Sequence, residues 1–128
     1  MNSLVIDAAR EKIFLTLISN KHVYTVSHDN SKSNFEKLVV LVFQFLECNK
    51  FSINDINKIY VNRGPGSFAG IRNSLSIVKG FFISKNIDYF CFSFEDFGKS
   101  NTNKYEYVPH LCDKFKIKKN LINPIYRS

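Results

Sequence analysis

Residues 63–72, Arg-Gly-Pro-Gly-Ser-Phe-Ala-Gly-Ile-Arg, gather three of the chain's five glycines and one of its three prolines into ten positions. A chain that concentrates its conformational extremes this way must turn sharply there. The segment follows an apolar run at 57–62 and precedes residues whose apolar positions 68, 71, 75, 78 and 82 recur at intervals of three and four, so the spacing predicts strand, turn and helix. Pro65 presets φ at the first central turn position, and Gly66 is placed to take the positive φ of a type II turn at the next. Ser67 is then placed to cap the helix. Backbone N–H groups at that helix start, with Gly64 before them and Arg63 and Arg72 on either side, suit an anion. The other reading is that the glycines only permit close helix-on-strand packing and that both arginines are solvated or paired with carboxylates. Gly-Pro-Gly-Ser is not a Walker A loop, because no lysine stands beside the serine. Gly70, Ser74 and Ser67 share a small-residue stripe that would let another backbone approach closely.

Upstream, residues 3–8, 13–18 and 22–27 read as three consecutive strands with tight polar connections, which implies an antiparallel meander. Ser33 stands three residues before Glu36, the capping-box spacing, so a helix should start there. Its stripe comprises Phe35, Leu38, Val39, Val42, Phe45 and Leu46, and Val40, Leu41 and Phe43 widen it beyond one buried face. Such a helix is either sandwiched in the core or docked on a partner. Residues 52–55 suggest one helical turn, and 87–92 a strand. Downstream, a short helix near 94–99, a strand near 105–111 and an edge strand at 114–119 with lysines at 114, 116, 118 and 119 complete the expectations. There is no internal repeat and no linker.

At 128 residues the chain is expected to form one domain, and 45% hydrophobic with 23% charged residues excludes wholesale disorder and fibrous repeats. The net charge of +7 is uneven: residues 1–62 carry 7 basic and 6 acidic side chains, residues 63–128 carry 11 and 5. Because Lys (14), Asn (14), Ile (13) and Phe (13) are abundant together, that excess reads equally as compositional bias and as a surface for a polyanion. Cys48, Cys91 and Cys112 form no C-x-x-C pair and are expected to be buried or inert; His22, His28 and His110 have no metal-ligand spacing. The start lacks a secretory pattern, and the longest apolar run, 38–43, is far short of a membrane span. A cytoplasmic location without membrane contact is the expectation.

RGPGSFAGIR at 63–72 closely resembles the R-G-P-G-S-F-T-G-x-R signature of the TsaB (YeaZ) family, with Ala69 at the usual threonine. LVIDAAR at 4–10 resembles the family's L-x-I-D-T-A/S-T start, and the element order agrees over about the first 95 residues. Pro124-Ile125-Tyr126-Arg127 is similar to the family's Pro-x-Tyr-x-Arg, one residue short. The resemblance implies an α/β fold of the actin-like, sugar-kinase-like ATPase type (ASKHA, RNase H-like). One half-domain would occupy 1–95, with a mixed sheet and a three-strand meander. Residues 96–128 would be a short remnant of the second half or a tail, leaving that half largely missing.

Members of this family are the non-catalytic partners of TsaD in making N6-threonylcarbamoyladenosine at tRNA position 37, with TsaE as the ATPase that resets the complex. The resemblance therefore implies a scaffold subunit that binds a TsaD-like enzyme through its helices and meets tRNA within the complex. Interface candidates are Phe35, Leu38, Val39, Leu41, Val42, Phe45, Leu46 and Ser74, and self-association through the same helices is a further expectation. Ala8 and Arg10 replace hydroxyl residues of the family's first hairpin, and Asn34 stands where a histidine is common. Asp7, which in active relatives would orient a metal-bound water, is thus expected to be vestigial, with no catalytic residue and no ATP or Mg²⁺ bound by the chain alone. The signature turn (Arg63, Gly64, Pro65, Gly66, Ser67, Gly70, Arg72) remains a candidate anion or partner contact. The alternatives are a stand-alone nucleotide-binding ATPase using Asp7 and that turn, and a tRNA-binding module based on the basic second half.

Overall fold

The strand that begins the chain is apolar at nearly every position because it lies in the middle of a sheet covered on both sides. In the computed structural model, which describes residues 1–98 and 104–126, β1 (Asn2–Asp7) is buried from Ser3 to Asp7. It pairs antiparallel with β2 (Lys12–Ser19), and β2 with β3 (His22–Asp29), forming the expected meander. On its other side β1 runs parallel to β4 (Lys58–Asn62), and β4 parallel to β5 (Asp88–Phe92), so the order is β3-β2-β1-β4-β5.

Alternation along the strands sends two sets of side chains to two layers. Leu4 and Ile6, with Leu15, Leu17, Ile59 and Val61, pack under α1 (Lys32–Glu36), α2 (Leu38–Cys48) and α3 (Phe68–Lys85). Val5, Tyr60 and Phe92 face the opposite layer, where Phe97, Val108, Leu111 and Cys112 cover them. The last three belong to α4 (Val108–Lys114), so the segment after β5 shields the second face of the sheet.

Three local expectations need correction. The helix after β3 starts earlier, because β3 runs to Asp29 and Ser31 is the first serine able to cap: its Oγ accepts from the Asn34 N–H at 3.2 Å. Ser33 then lies inside the first turn, its box with Glu36 does not form, and the helix breaks at Lys37 (φ −109°) into α1 and α2. Residues 105–111 are helical, a 3₁₀ turn at Tyr105–Tyr107 leading into α4. Pro109 has no N–H for a ladder but suits a first helical turn, and Val108, Leu111 and Cys112 are buried at helical spacing. Residues 114–119 form a turn through Lys116 (φ +53°) with a single bridge from Lys119 to Phe90. The expected turns at Ile53–Asp55 and Phe94–Phe97 are present as 3₁₀ helices, each with a capping box, though the end of the latter expectation, Lys99, lies outside the described residues.

No helix among the described residues is long and apolar enough to cross a membrane. Of the three cysteines expected to be buried or inert, Cys91 and Cys112 are buried and their thiols pushed up to about 12 by that burial, whereas Cys48, at the last turn of α2, is exposed.

Two glycines of α3 respond oppositely to a methyl group. A Cβ on Gly70 would collide with the Ala8 carbonyl oxygen, while one on Gly80 meets nothing within 4 Å. Gly70→Ala is expected to destabilise the fold by about 2–3 kcal/mol through that overpacking. Gly80→Ala is expected to stabilise it by about 0.5–1 kcal/mol through helix propensity. Urea unfolding of the two variants reads both signs.

Candidate functional site

The carboxyl ends of the parallel strands β1, β4 and β5 converge on one end of the sheet, the edge where open α/β sheets receive ligands. Asp7 closes β1 there and is fully buried. Its Oδ1 accepts from the Ala9 N–H at 3.0 Å and its Oδ2 from the Tyr105 hydroxyl at 2.6 Å. Asn62, at the end of β4, also reaches Asp7 with its side chain, and its Oδ1 accepts from the Gly64 N–H at 2.9 Å.

Burial drives the Asp7 pKa above its ordinary 3.8, and the donors from Tyr105, Asn62 and Ala9, with the charge of Arg10, only partly oppose that. The Tyr105 phenol is raised as well, first by its own burial and then by the Asp7 charge, which suits a hydroxyl that donates to the carboxylate. Tyr105 is held from both sides: its ring lies 5.5 Å from Phe14 and 5.9 Å from Phe94, and the Arg10 guanidinium stacks 5.6 Å over Phe94. These side chains roof Asp7. The space outside them is an open pocket of about 690 Å³ lined by Arg10, Glu11, Lys12, Phe14 and Tyr105.

The glycine-rich turn differs from the expected type II form. The Gly64–Pro65 peptide bond is cis and the positive φ falls on Gly64 (+111°), not on Gly66. Gly66 is required for a different reason: a Cβ there would run into the Ala9 carbonyl oxygen. Ser67 caps α3 as expected, accepting from the Gly70 N–H at 3.2 Å, and its own N–H donates to the Ala9 oxygen at 2.9 Å. The turn's polar groups at Gly64, Ser67 and Gly70 are therefore engaged within the chain.

Neither arginine stands free beside that turn. Arg63 binds Asp96 through both Nη2 (2.6 Å) and Nε (3.3 Å), and its Nη1 donates to the Asn123 carbonyl at 3.0 Å, with both ionic side chains mostly buried. Arg72 is exposed on α3, its guanidinium 5.4 Å over the Phe68 ring. The close-packing and paired-charge reading of the segment is the one this geometry matches.

The interface candidates divide. Phe35, Leu38, Leu41, Val42, Phe45 and Leu46 are buried against the chain's own sheet and α3, and Ser74 is buried with its Oγ donating to the Ile71 carbonyl at 3.0 Å. The backbone that approaches Gly70 is likewise the chain's own, at Ala8. Val39 is exposed, together with Val40 and Phe43, which had only widened the stripe. Phe43 meets Phe81 of α3 edge-on at 5.8 Å, and a groove of about 640 Å³ runs between α1–α2 and α3 past Phe35, Val39, Ala69, Arg72 and Ile77. Among the described residues no group of acidic, histidine or cysteine side chains could hold a metal ion.

Sequence reasoning missed Tyr105, Asn62 and Asp96. Asp96 carried a signal, since Ser93 precedes it at capping-box spacing and it does accept from the Ser93 N–H at 2.8 Å. Tyr105 lies 98 residues from Asp7, and no local pattern joins them.

Two outcomes test these contacts. A carboxyl whose folded pKa is raised binds its proton more tightly in the folded chain, so the stability it contributes is present at low pH and lost as pH rises through the folded value. Stability should fall from about pH 4 upward for this reason, and Asp7→Asn should flatten the fall; urea midpoints across pH read the slope. Arg63→Ala should cost about 2 kcal/mol by removing charged hydrogen bonds, measured by the same unfolding at neutral pH.

Residues 25–92, more than half of the chain, match the family model described as "TsaD: tRNA N6-adenosine threonylcarbamoyltransferase". Proteins named "tRNA threonylcarbamoyladenosine biosynthesis protein TsaB" are similar. That of Buchnera aphidicola subsp. Baizongia pistaciae is 26% identical over 67% of this chain and 39% of its own length. That of Buchnera aphidicola subsp. Schizaphis graminum is 28% identical over 68% and 41%. The Escherichia coli K12 protein is 30% identical over 62% and 35%. The chain thus spans well under half the length of the curated relatives it matches. The solved structure of YeaZ from Pseudomonas aeruginosa superposes with a TM-score of 0.66 at 20% identity, over 72% of this chain and 43% of that one, which shows the shared fold. The five-stranded sheet with its helices is the expected α/β half-domain of the actin-like type. From the signature at 63–72, the mixed sheet and the match over 25–92, the chain belongs to the TsaD family, and the relatives it resembles there are the TsaB (YeaZ) proteins.

Proposed function

We propose that this chain acts in the biosynthesis of N6-threonylcarbamoyladenosine on tRNA as a non-catalytic subunit, docking on a TsaD-like catalytic partner through its helical layer. The observation that carries this reading is the state of Asp7: the carboxylate that ends β1, at the ligand-receiving end of the sheet, is fully buried and bonded to Tyr105, Asn62 and Ala9. A carboxylate that orients a metal-bound water needs open oxygens. These are used internally. The reading as a stand-alone nucleotide-hydrolysing enzyme requires Asp7 and the turn to be available together, and both are occupied.

Contact is supported by the surface that remains. Val39, Val40 and Phe43 form an exposed apolar ridge on α2, bordered by the groove against α3. Apolar surface of this kind on a small protein marks interaction. A TsaE-like ATPase and tRNA would join through the partner, in the cytosol. The basic second half would contribute to tRNA contact within that assembly.

Co-expression with a TsaD-like subunit is expected to give a stable complex on gel filtration, and Phe43→Asp to weaken it at least tenfold while circular dichroism stays native. Calorimetry of the isolated chain with ATP and Mg²⁺ is expected to show no submicromolar binding. Tight nucleotide binding, or no association with the partner at micromolar concentration, would reject the proposal.

A further inference from the structure

Two side-chain hydroxyls of the sheet are buried without a partner. Ser3 and Tyr60 are 6% and 5% exposed, and among the described residues neither hydroxyl makes a hydrogen bond within the chain. Buried hydroxyls in folded proteins are almost always satisfied, so two together need an account. The register of β1 with β4 sets Ser3 beside Lys58 and Val5 beside Tyr60, and alternation puts all four on the sheet face that α4 covers. Ser3 stands about 13 Å along β1 from Asp7, toward the opposite end of the sheet.

Both residues line one open bowl of about 480 Å³ between the sheet and α4. Lys58, His110 and Lys116 line it too, and neither lysine has a carboxylate partner among the described residues. The Lys58 ammonium lies 5.7 Å from the centre of the Phe90 ring, which stacks on Tyr60 at 5.1 Å, so this charge is held beside the phenol. Burial, and then Cys112 and the charge of Asp113, raise the Tyr60 phenol to about 12, so it keeps its proton and donates. Asp113 is the one carboxylate lining the bowl and opposes an anion, but two ammonium groups outweigh it. Every other polar side chain around the bowl can donate a hydrogen bond.

We propose that this bowl binds a small phosphate-bearing molecule, a phosphomonoester whose oxygens accept from the Ser3 and Tyr60 hydroxyls while Lys58 and Lys116 balance its charge. Such a group brings three acceptor oxygens and about two negative charges at neutral pH, which match two hydroxyl donors and two ammonium groups. Lysine serves phosphate as a point charge. A carboxylate offers fewer oxygens and half the charge. The volume lies in the range of small-ligand sites and far exceeds one phosphate group. Phe90, Pro109 and Ile117 wall the remainder, so the rest of the ligand is an apolar or ring-shaped body. The bowl uses neither Asp7, the signature turn nor the Val39–Val40–Phe43 ridge, so this inference stands without the docking proposed above.

Calorimetry of the whole chain with phenyl phosphate, a phosphomonoester on a ring, tests it. Binding is expected with a dissociation constant of about 1 mM or tighter. Benzoate, the same ring with a carboxylate, should bind about tenfold more weakly or worse. Tyr60→Phe and Ser3→Ala each remove one hydroxyl and should each weaken phenyl phosphate by about tenfold, because a hydrogen bond to a charged group is lost. Neither hydroxyl is bonded inside the chain, so the urea midpoints of both variants should stay at or above wild type. Lys116→Gln should weaken binding by about threefold or more, whereas Lys79→Gln, on α3 in the other layer, removes the same charge and should leave it unchanged. No binding at about 10 mM phenyl phosphate, equal affinity for benzoate, or hydroxyl variants that bind like wild type overturns the proposal. Urea midpoints that fall in both hydroxyl variants also overturn it, because the hydroxyls would then be satisfied within the chain. So does an oligouridylate with hydroxyl ends that displaces phenyl phosphate and binds more tightly, which would assign the bowl to an RNA backbone.

Discussion

The first turn of α3 rests directly on the backbone of Ala8 and Ala9. Gly66 and Gly70 lack the carbon atoms that would strike those two carbonyl oxygens, and the Ser67 N–H donates into the gap at 2.9 Å. Because that contact draws the helix onto the end of β1, Ile71, Leu75 and Val78 reach the core and the helical layer closes over Leu4 and Ile6. It also sets the geometry around Asp7, one residue before Ala8. Asp7 is fully buried there, and a buried carboxylate needs hydrogen-bond partners within the protein.

Those partners come from the far end of the chain. Tyr105 donates to Asp7, α4 covers Val5 and Tyr60, and Asn120 seals the β5 edge. The Ile125 N–H then donates to the Arg63 carbonyl at 2.7 Å, and Tyr126 lies 4.8 Å from Phe68. Arg63 and Asp96 pin this return path beside the glycine-rich turn. Residues at the carboxyl ends of the strands are thereby engaged in structural contacts, while part of the helical layer stays exposed.

Legibility varied with the range of the interactions involved. The meander, β4, α3 and β5 follow from alternation, helical spacing and a serine cap, all of which act over a few residues. The helix after β3 was displaced because Ser31 and Ser33 both stand near its start, and Ser31 is the one that caps it. The lysines of 114–119 alternate like a strand, yet the positive φ of Lys116 turns the chain there. At the site, Asp7 and the signature turn were visible as motifs. Arg63 looked like an anion contact because its carboxylate partner stands 33 residues away.

The sequence by itself pointed to the fold family, through a ten-residue segment that resembles the TsaB (YeaZ) signature, and through strands whose apolar pattern states how many faces are covered. Tertiary structure decided which of the marked residues remain available. Burial and pairing are properties of what folds onto a residue from elsewhere: Phe35, Leu41 and Ser74 lost their surface to the sheet and α3, Arg63 its charge to Asp96, and Asp7 its open oxygens to Tyr105. No spacing within a segment encodes those distant arrivals.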